Sequence, residues 1–551
     1  MKITLAQLNY HIGNFEGNLA QMLTEVEKAK SENSDIICFS ELATCGYPPR
    51  DFLEFDDFIV KAEAGIATLA AAAHGIAIVV GAPSRNPAPE GKSLYNSVYF
   101  IADGAVQYVQ HKTLLPTYDV FDEYRYFEPA KDWGVVEYKG KKIALTVCED
   151  IWDVPPRVGA EDFDPMYNVV PLDEMMKHKP DFIINVSASP YSYTHVASRK
   201  SILKDNCARY GLPMFYVNHV GAQTELIFDG SSLIMSPDGN IYDEMPRFEV
   251  ATRTYDLADV TSGGQSHDIP SRKIADMHDA LVLGVRDYFG KLGFTKAILG
   301  LSGGIDSAVT LVIAARALGP ENVRVLLMPS QYSSDHSVND ARQLAENLGC
   351  RYDIVPIKGI YDAYLTELSG LFEGKPFNVT EENIQARIRG VLNMAISNKH
   401  GNILLNTSNK SEMAVGYGTL YGDLCGGLSV IADVYKTEVF EMAHYMNKDG
   451  EVIPEHTITK PPSAELRPDQ KDSDSLPDYA ILDEILELYI EQRTDPQDII
   501  GMGHDETLVR RILRLVNINE FKRYQTAPVL RVSPKAFGMG RRMPIVGKYL
   551  S

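Results

Sequence analysis

The stretch Gly-Leu-Ser-Gly-Gly-Ile-Asp-Ser at residues 300–307 has the residue types needed to bind an anion. It follows the apolar run 297–299 and leads into a second apolar run, which predicts a strand, a tight loop and the start of a helix. Gly303 and Gly304 let the backbone approach oxygen atoms closely, and a helix N-terminus favours negative charge. The lysine of a Walker loop is absent, and Asp306 offers a carboxylate suited to magnesium beside phosphates. A glycine-rich turn before an ordinary helix is the alternative for these residues alone.

A second set of reactive residues lies in the first half of the chain, where Glu41, Lys112 and Cys148 each follow a strand-like run. The carboxyl ends of strands are where α/β sheets collect functional groups. A thiol nucleophile needs a base, and the oxyanion formed at an amide carbonyl needs a cationic or N–H donor. These three side chains supply those parts and predict an amide-cleaving site. Taken singly, a buried cysteine, a solvated lysine and a capping glutamate are the ordinary alternatives.

The elements that position both sets alternate between strand and helix, which predicts layered α/β domains. We predict a first domain over residues 1–257, a linker rich in Ser, Gly, Asp and Pro over 258–272, and a second domain over 273–551. The apolar patterns predict strands at 3–9, 35–40, 76–81, 97–101, 142–147, 182–186, 214–217, 250–257, 297–300, 323–328 and 352–355, and helices at 19–30, from 274, from 307 and at 338–348.

Composition narrows the possible partners. A net charge of −21 argues against nucleic acid, because a polyanion requires a basic face, but it leaves room for small anionic substrates in a local basic pocket. No segment approaches the roughly 18 consecutive apolar residues of a membrane span, and the N-terminus lacks the pattern of a signal peptide. Six scattered cysteines give neither a disulfide framework nor zinc spacing. We therefore predict a reduced, cytoplasmic protein.

Three segments of the first half resemble the conserved blocks of the nitrilase/amidase superfamily: residues 41–48, 111–116 and 147–150. The resemblance implies an α-β-β-α sandwich in which Glu41 is the general base, Lys112 stabilises the oxyanion and Cys148 is the nucleophile. Glu123 matches the supporting second glutamate of the superfamily, and the resemblance also places it among the glutamine-binding residues.

The same resemblance implies a glutamine pocket. Tyr118 and Ser189 match glutamine contacts, and His195 stands where the family generally has a basic residue. The cationic partner of the glutamine carboxylate is therefore open between His195, Arg199 and Lys200.

The second half resembles enzymes that cleave ATP between its α and β phosphates, whose pyrophosphate loop reads S-G-G-x-D-S. Further matching segments lie at 328–334, 381–389, 406–412, 422–423, 434–439 and 520–525. Together with a nitrilase-like first half, they resemble the glutamine-dependent NAD synthetase family over nearly the whole chain. The resemblance implies a doubly wound parallel sheet of Rossmann-like type. It implies ATP contacts from Gly300, Leu301, Ser302, Gly303, Gly304, Ile305, Asp306, Ser307 and Thr407, deamido-NAD contacts from Asn383, Glu412, Asp423, Lys436 and Lys522, and Mg²⁺ held by Asp306 and Glu412.

The implied reaction has two parts. Glutamine is hydrolysed to glutamate and ammonia, and the ammonia amidates deamido-NAD through an adenylate while ATP becomes AMP and pyrophosphate, the last step of NAD biosynthesis. Because ammonia must stay neutral to be nucleophilic, we predict a sheltered route between the two sites. Residues 460–479 resemble a synthetase segment and are predicted to close as a lid, with simple disorder as the alternative. The family also implies a homo-oligomer of two or more chains.

Three other interpretations fit less of the chain. Other pyrophosphate-loop enzymes aminate GMP, aspartate or tRNA bases, but their glutaminase parts are not nitrilase-like. An amidase with a regulatory nucleotide module does not explain the intact 302–307 loop together with Glu412 and Lys436. A non-catalytic scaffold does not explain the joint retention of cysteine, glutamate and lysine with Asp306.

Overall fold

A computed structural model of the 551-residue chain describes residues 1–152, 166–264, 266–468, 470–474 and 476–549. The chain forms two compact units, Met1–Ser271 and Arg272–Ser551. Each unit has its own sheets and hydrophobic clusters and is described by itself.

The first unit alternates strands and helices. Its elements are β1 (Lys2–Gln7), α1 (Phe15–Ser31), β2 (Ile36–Cys38), α2 (Asp56–Ala72), β3 (Ala77–Arg85), β4 (Leu94–Ala102), β5 (Ala105–His111), β6 (Val136–Tyr138), β7 (Lys141–Val147), α3 (Pro171–Met176), β8 (Phe182–Ser187), α4 (His195–Tyr210), β9 (Met214–Asn218), β10 (Val220–Gln223), β11 (Leu226–Asp229), β12 (Leu233–Met235), β13 (Ile241–Glu244), β14 (Ala251–Asp256) and α5 (Leu257–Ser262).

Two six-stranded sheets of this unit pack face to face. Their strand orders are β14-β1-β2-β3-β4-β5 and β13-β12-β9-β8-β7-β6. Apolar side chains from both sheets share one core, with Leu5 and Val98 from the first and Leu145 and Phe215 from the second. Helices α1 and α2 cover the outer face of the first sheet, and α3 and α4 cover that of the second. The unit is therefore the predicted α-β-β-α sandwich.

The segment predicted as a linker is partly structured. Its first residues form α5, because the Asp256 side chain accepts a hydrogen bond from the Ala258 amide and Val260 is fully buried. The helix ends at Gly263, whose φ of 71° suits glycine. This short helix was not predicted because the segment is rich in polar residues and glycine. Residue 265 lies outside the described residues.

The second unit is built from α6 (Lys273–Leu292), β15 (Ala297–Gly300), α7 (Ile305–Leu318), β16 (Val323–Leu327), α8 (Asp335–Leu348), β17 (Arg351–Ile354), α9 (Lys358–Leu368), α10 (Val379–His400), β18 (Ile403–Asn406), α11 (Lys410–Val415), β19 (Leu428–Ser429), α12 (Lys436–Met446), α13 (Glu455–Thr459), α14 (Tyr479–Leu486), α15 (Pro496–Gly501), α16 (Glu506–Ile518) and α17 (Glu520–Arg523). Helices α7 and α8 begin two and three residues earlier than the apolar pattern predicted, because helix N-termini are made of small and polar residues.

Five parallel strands form the sheet of this unit in the order β17-β16-β15-β18-β19. Helices α9 and α10 pack on it through a cluster that includes Ile298, Leu326 and Ile388. Helix α7 packs against β15 and β16, with α6 and α12 beside it. The strand order reverses at β15, so the crevice for a ligand lies at the carboxyl end of this strand, where the 300–307 loop begins.

Candidate active sites

The first site centres on a lysine held between two glutamates. Lys112 Nζ lies 2.8 Å from Glu41 Oε1 and 2.8 Å from Glu123 Oε1. Lys112 and Glu41 are fully buried and Glu123 is nearly so. Glu41 Oε2 accepts a hydrogen bond from the Ala188 amide at 2.9 Å, and Glu123 Oε1 accepts one from the Tyr47 hydroxyl at 2.9 Å. These contacts surround both carboxylates with hydrogen-bond donors in a buried site. Burial raises the pKa of Glu123 above its usual value, while Lys112 opposes this rise.

Short elements bring these side chains together. Lys112 directly follows β5, and Cys148 directly follows β7 and opens the 3₁₀ helix Cys148–Ile151. Asp150 ties the two loops together, since its Oδ1 accepts from the amides of Thr113 and Leu114 at 2.9 Å and its Oδ2 accepts from Val147 at 3.1 Å. The lysine and cysteine loops are thereby fixed relative to each other.

Burial dominates the electrostatics around Cys148. Burial and the nearby charge of Glu41 raise the pKa of the Cys148 thiol well above its usual value, while Lys112 opposes this rise. Burial would lower the pKa of Lys112, but Glu123 and Glu41 raise it well above the usual value. The lysine therefore stays cationic, and the thiol needs a base at the moment of attack.

Four polar residues, Tyr118, Glu149, Ser189 and His195, form a polar rim beside Cys148. The Tyr118 hydroxyl donates to Glu149 Oε1 at 2.8 Å. Burial raises the pKa of Glu149 to about 7. Across the rim, Ser189 Oγ lies 2.9 Å from His195 Nε2. The His195 ring stacks on Trp152, with 4.6 Å between centroids and 10° between planes. The predicted glutamine contacts thus stand on elements adjoining Cys148.

The two other cations considered for the glutamine carboxylate are held in ion pairs. Arg199 is almost fully buried and pairs with Asp229 through both terminal nitrogens. Lys200 Nζ lies 2.6 Å from Glu244 Oε2 and 2.5 Å from Asp268 Oδ1. Because both charges are already neutralised, the geometry favours His195.

The second site is a cavity of about 1060 Å³ at the carboxyl end of β15. It is lined by the predicted ATP and deamido-NAD residues Gly300, Leu301, Ser302, Gly304, Ile305, Asp306, Ser307, Asn383, Thr407, Glu412, Asp423, Lys436 and Lys522. Gly303 underlies this loop with a φ of 82°, and a Cβ there would meet the carbonyl oxygen of Ser337 at 2.2 Å. Only glycine fits at this point.

One cation and two carboxylates meet beside the loop. Lys436 Nζ lies 2.5 Å from Asp306 Oδ2 and 3.5 Å from Glu412 Oε1. Asn409 Nδ2 donates to Asp306 Oδ1 at 2.9 Å. Burial, followed by the charge of Asp306, raises the pKa of Glu412 to about 8. Burial would lower the pKa of Lys436, but Asp306 and Glu412 raise it above its usual value.

The donor chemistry of Asp306 and Glu412 fits a hard cation. Their oxygens border the anion loop, and two carboxylates share the single ammonium group of Lys436. In the described part of the chain no group of three or more His, Cys, Asp or Glu residues forms a metal site. Magnesium is commonly bound by one or two carboxylates together with phosphate oxygens and water.

The remaining predicted contacts stand on the far wall of the cavity. Asn383 Oδ1 accepts from the Thr419 hydroxyl at 2.7 Å, and Asp423 Oδ1 accepts from the Thr419 amide at 2.6 Å. Lys522 Nζ donates to the carbonyl oxygens of Gly416 and Gly418 at 2.7 and 3.0 Å. Asn383 and Asp423 are thus held through one threonine.

The predicted lid borders the same cavity. Glu465 Oε1 accepts from the hydroxyls of Ser337 at 2.7 Å and Ser334 at 3.0 Å, at the start of α8. Gln385 Nε2 of α10 donates to the carbonyl oxygen of Leu466 at 2.9 Å. The segment is therefore anchored to two helices in this structure. Residues 469 and 475 of the predicted lid lie outside the described residues.

Comparison with known proteins identifies both units. Residues 2–265 match the carbon–nitrogen hydrolase family and residues 277–526 match the NAD synthase family. Glutamine-dependent NAD(+) synthetases from Synechocystis and Acinetobacter baylyi are 46% and 42% identical to this chain, which covers 98% of each relative, with 98% and 99% of this chain aligned. The chain belongs to the glutamine-dependent NAD(+) synthetase family. A solved structure of that enzyme from Acinetobacter baumannii, in complex with ADP, aligns with 100% of this chain and 99% of its own at a TM-score of 0.78 and 38% identity.

Membership of the NAD synthetase family confirms the predicted family and α/β fold. As a member, the chain joins a glutaminase unit to an ATP-dependent ligase unit, as its sequence predicts. No helix within the described residues is long and apolar enough to cross a bilayer.

Four polar residues of these sites were not predicted from the sequence: Asn96, Glu149, Asp150 and Asn409. Glu149 and Asp150 lie within the 147–150 block, and Asn409 forms a capping box with Glu412. These three residues could have been predicted from the motifs in which they lie. Asn96 could not, because its partners are far away in the sequence.

Proposed function

We propose that the chain makes NAD from deamido-NAD, with glutamine as nitrogen donor and ATP as activator, at the last step of NAD biosynthesis. The observation that carries this proposal is the pairing of the buried Glu41–Lys112–Glu123 cluster beside Cys148 with an anion loop that opens on a cavity of about 1060 Å³. An amidase alone would not need the anion loop, and an ATP-dependent ligase alone would not need the cluster beside Cys148. All six cysteines are free thiols, which agrees with the reduced cytoplasm that we propose as its compartment.

In the first unit, Glu41 takes the proton of the Cys148 thiol as the sulfur attacks the side-chain amide carbon of glutamine. Lys112 stabilises the oxyanion, and Glu41 returns the proton to the departing ammonia. Glu41 then activates water, which hydrolyses the thioester to glutamate and frees the thiol. These roles are supported by the positive charge of Lys112 and by its hydrogen bond to Glu41.

The polar rim gives the glutamine backbone its orientation. We assign its α-ammonium group to the carboxylate of Glu149, aided by Tyr118, and its α-carboxylate to Ser189 and His195. The pairing of Arg199 and Lys200 with other carboxylates supports His195 in this position. Glu123 acts here through Lys112, which it directly contacts.

In the second unit, the ATP phosphates lie on Ser302–Ser307, with Lys436 and Thr407 at their side. Asp306 and Glu412 would hold a magnesium ion, which supplies charge neutralisation as pyrophosphate departs. Asn409 fixes Asp306 for this role, because its amide donates to one carboxylate oxygen and leaves the other facing Lys436.

The nicotinate carboxylate of deamido-NAD attacks the α-phosphorus, and the bond to pyrophosphate breaks. Ammonia then attacks the carbonyl carbon of this mixed anhydride, loses a proton and expels AMP, which leaves the amide of NAD. We place deamido-NAD against Asn383, Asp423 and Lys522, which line the far wall of the cavity. The 460–479 segment closes over the adenylate and excludes water.

The test follows NAD, AMP and glutamate together, with ATP, magnesium and deamido-NAD present. We expect wild type to make NAD from glutamine. Cys148→Ala should make NAD only from added ammonium, because it lacks the glutaminase nucleophile but keeps the second unit. Cys207→Ala, which removes another buried thiol of the same unit, is the matched control and keeps glutamine use. Release of glutamate by wild type without NAD or AMP would show that the second unit has a different acceptor.

A further inference from the structure

Asn96 lies inside the glutaminase cluster and has no part in the proton transfers assigned to Glu41. It stands on β4 opposite Pro83 of β3, with its side chain fully buried. Its main-chain oxygen accepts a hydrogen bond from the Lys112 amide at 2.8 Å. The residue therefore fixes the backbone from which the lysine extends.

The side chain of Asn96 forms a second link between the two glutamates, beside the lysine bridge. Its Nδ2 lies 2.7 Å from Glu41 Oε1 and 3.3 Å from Glu123 Oε2. Lys112 contacts the same two carboxylates, so the four side chains form a closed ring. Neighbouring buried carboxylates tend to share one proton, and donors placed on both of them oppose this sharing.

The amide orientation follows from the network. Among the described residues, Asn96 Oδ1 is buried without a hydrogen-bond partner. Rotating the amide would pair this oxygen, but only by aiming it at two carboxylates and removing the donor from both. The two carboxylate contacts therefore require the amide nitrogen of Asn96 to face Glu41 and Glu123.

We propose that Asn96 is a positioning residue of the glutaminase reaction, whose amide holds the carboxylates of Glu41 and Glu123 in place and selects the Glu41 oxygen that takes the proton of Cys148. Glu41 Oε1 accepts from both Lys112 and Asn96, whereas Oε2 accepts from the Ala188 amide. Oε2 therefore retains lone-pair capacity for the thiol proton. This inference rests on the proposed glutaminase function.

Other titratable groups face the same ring and contribute to its pH response. The Tyr47 hydroxyl donates to Glu123, His219 Nε2 lies 2.9 Å from the Glu41 carbonyl oxygen, and the charges of Cys148 and Glu149 act on Lys112 or on each other. The test therefore compares variants that leave all of these groups in place.

Asn96→Leu keeps the size of the side chain and removes both donors. We expect glutamine kcat to fall about 100-fold, with KM for glutamine changed by less than about threefold. The acidic limb of the kcat profile should move upward in pH, because Glu123, whose pKa burial already raises, loses a donor to its ionised form. NAD formation from added ammonium should stay at the wild-type rate, which shows that the second unit is intact.

Ser97→Ala is the matched control, since it removes hydrogen bonds to Ser84 and His111 from the next residue of β4 and touches neither carboxylate. It should keep the wild-type pH profile. Asn96→Asp decides the question if the leucine variant does not fold. Its carboxyl group donates only when protonated, so its kcat should fall with rising pH where wild type stays constant.

A wild-type kcat and pH profile in Asn96→Leu, or a wild-type profile in Asn96→Asp, would overturn the inference. If wild type itself releases no glutamate from glutamine, the proposed function fails instead, and the two failures are thereby distinguished.

Discussion

At the scale of single residues, the glutaminase site concentrates buried carboxylates around one cation. Glu41, Glu123 and Glu149 all act electrostatically on Lys112 or Cys148. A dry site with this excess of negative charge raises carboxyl pKa values, and Glu149 is the residue whose pKa reaches about 7. The site is therefore sensitive to pH within the physiological range.

The first prediction concerns this glutamate. If ionised Glu149 binds the ammonium group of glutamine, binding requires a pH above its pKa of about 7. The ionised fraction rises about tenfold between roughly pH 6 and pH 8, so kcat/KM for glutamine should rise by a similar factor. The measurement is glutamate release across this range.

The matched variant is Glu149→Gln, which keeps the shape and the hydrogen bond to Tyr118 but cannot titrate. Its kcat/KM should be low and lack this rise, and any slope that remains belongs to other groups. An unchanged slope in Glu149→Gln would contradict the assignment.

Some residues of this site can be predicted from a short sequence motif, and others depend on contacts between distant parts of the chain. Glu41, Lys112 and Cys148 were predictable because each stands in a short motif that follows a strand. Asn96 was not, because its contact with Glu41 spans 55 residues and depends on the pairing of strands whose register a pattern does not reveal. The roles of the site residues stay predictions until variants are measured.

At the scale of elements, Glu465 is one of the anchors of the segment that borders the synthetase cavity. Glu465 accepts hydrogen bonds from the hydroxyls of Ser334 and Ser337, and its backbone has a φ of 50°. Such a conformation persists only where surrounding contacts support it. The start of α8 therefore stabilises the segment.

The second prediction is that protease cleavage within 460–479 is slowed several-fold by ATP plus deamido-NAD, and that Glu465→Ala accelerates cleavage about threefold without ligands. Fewer anchoring hydrogen bonds raise the population of the open form, which is the form that proteases cut. Mass spectrometry of the fragments measures both rates.

The control variant is Glu373→Ala, because Glu373 is also a loop glutamate with positive φ, at 52°. It should leave cleavage in the 460–479 segment unchanged. Cleavage that substrates do not slow would contradict the proposed lid.

Elements with a strong apolar pattern could be predicted from the sequence. Elements that depend on pairing with other strands or on a capping residue could not. The central strands β7, β8 and β15 are apolar runs in which nearly every residue is buried, so their sequence is sufficient. The short strands β10 to β13 have three or four residues each and exist because they pair with one another or with β9. Helix α5 similarly depends on a cap that lies within a polar segment.

At the scale of the whole molecule, one chain carries two chemistries that meet only through ammonia. Glutamine hydrolysis is useful only if its product reaches the adenylate as the neutral amine, and in water near pH 7 most ammonia is protonated. We therefore expect the nitrogen to pass from the first unit to the second without mixing with the solvent. We also propose that the chain acts as a homo-oligomer, which sedimentation velocity measures.

The last prediction tests this transfer with isotopes. Wild type receives glutamine labelled with ¹⁵N at the side-chain amide, together with unlabelled ammonium at equal concentration. Sheltered transfer predicts that nearly all new NAD carries ¹⁵N, because released ammonia never joins the external pool. Cys148→Ala, tested in the same mixture, should give only unlabelled NAD, which proves that the second unit accepts external ammonium when the first is silent. If the wild-type product instead carries the isotope ratio of the mixed pool, the two units work in sequence through the solvent, and joining them in one chain serves some purpose other than protecting ammonia.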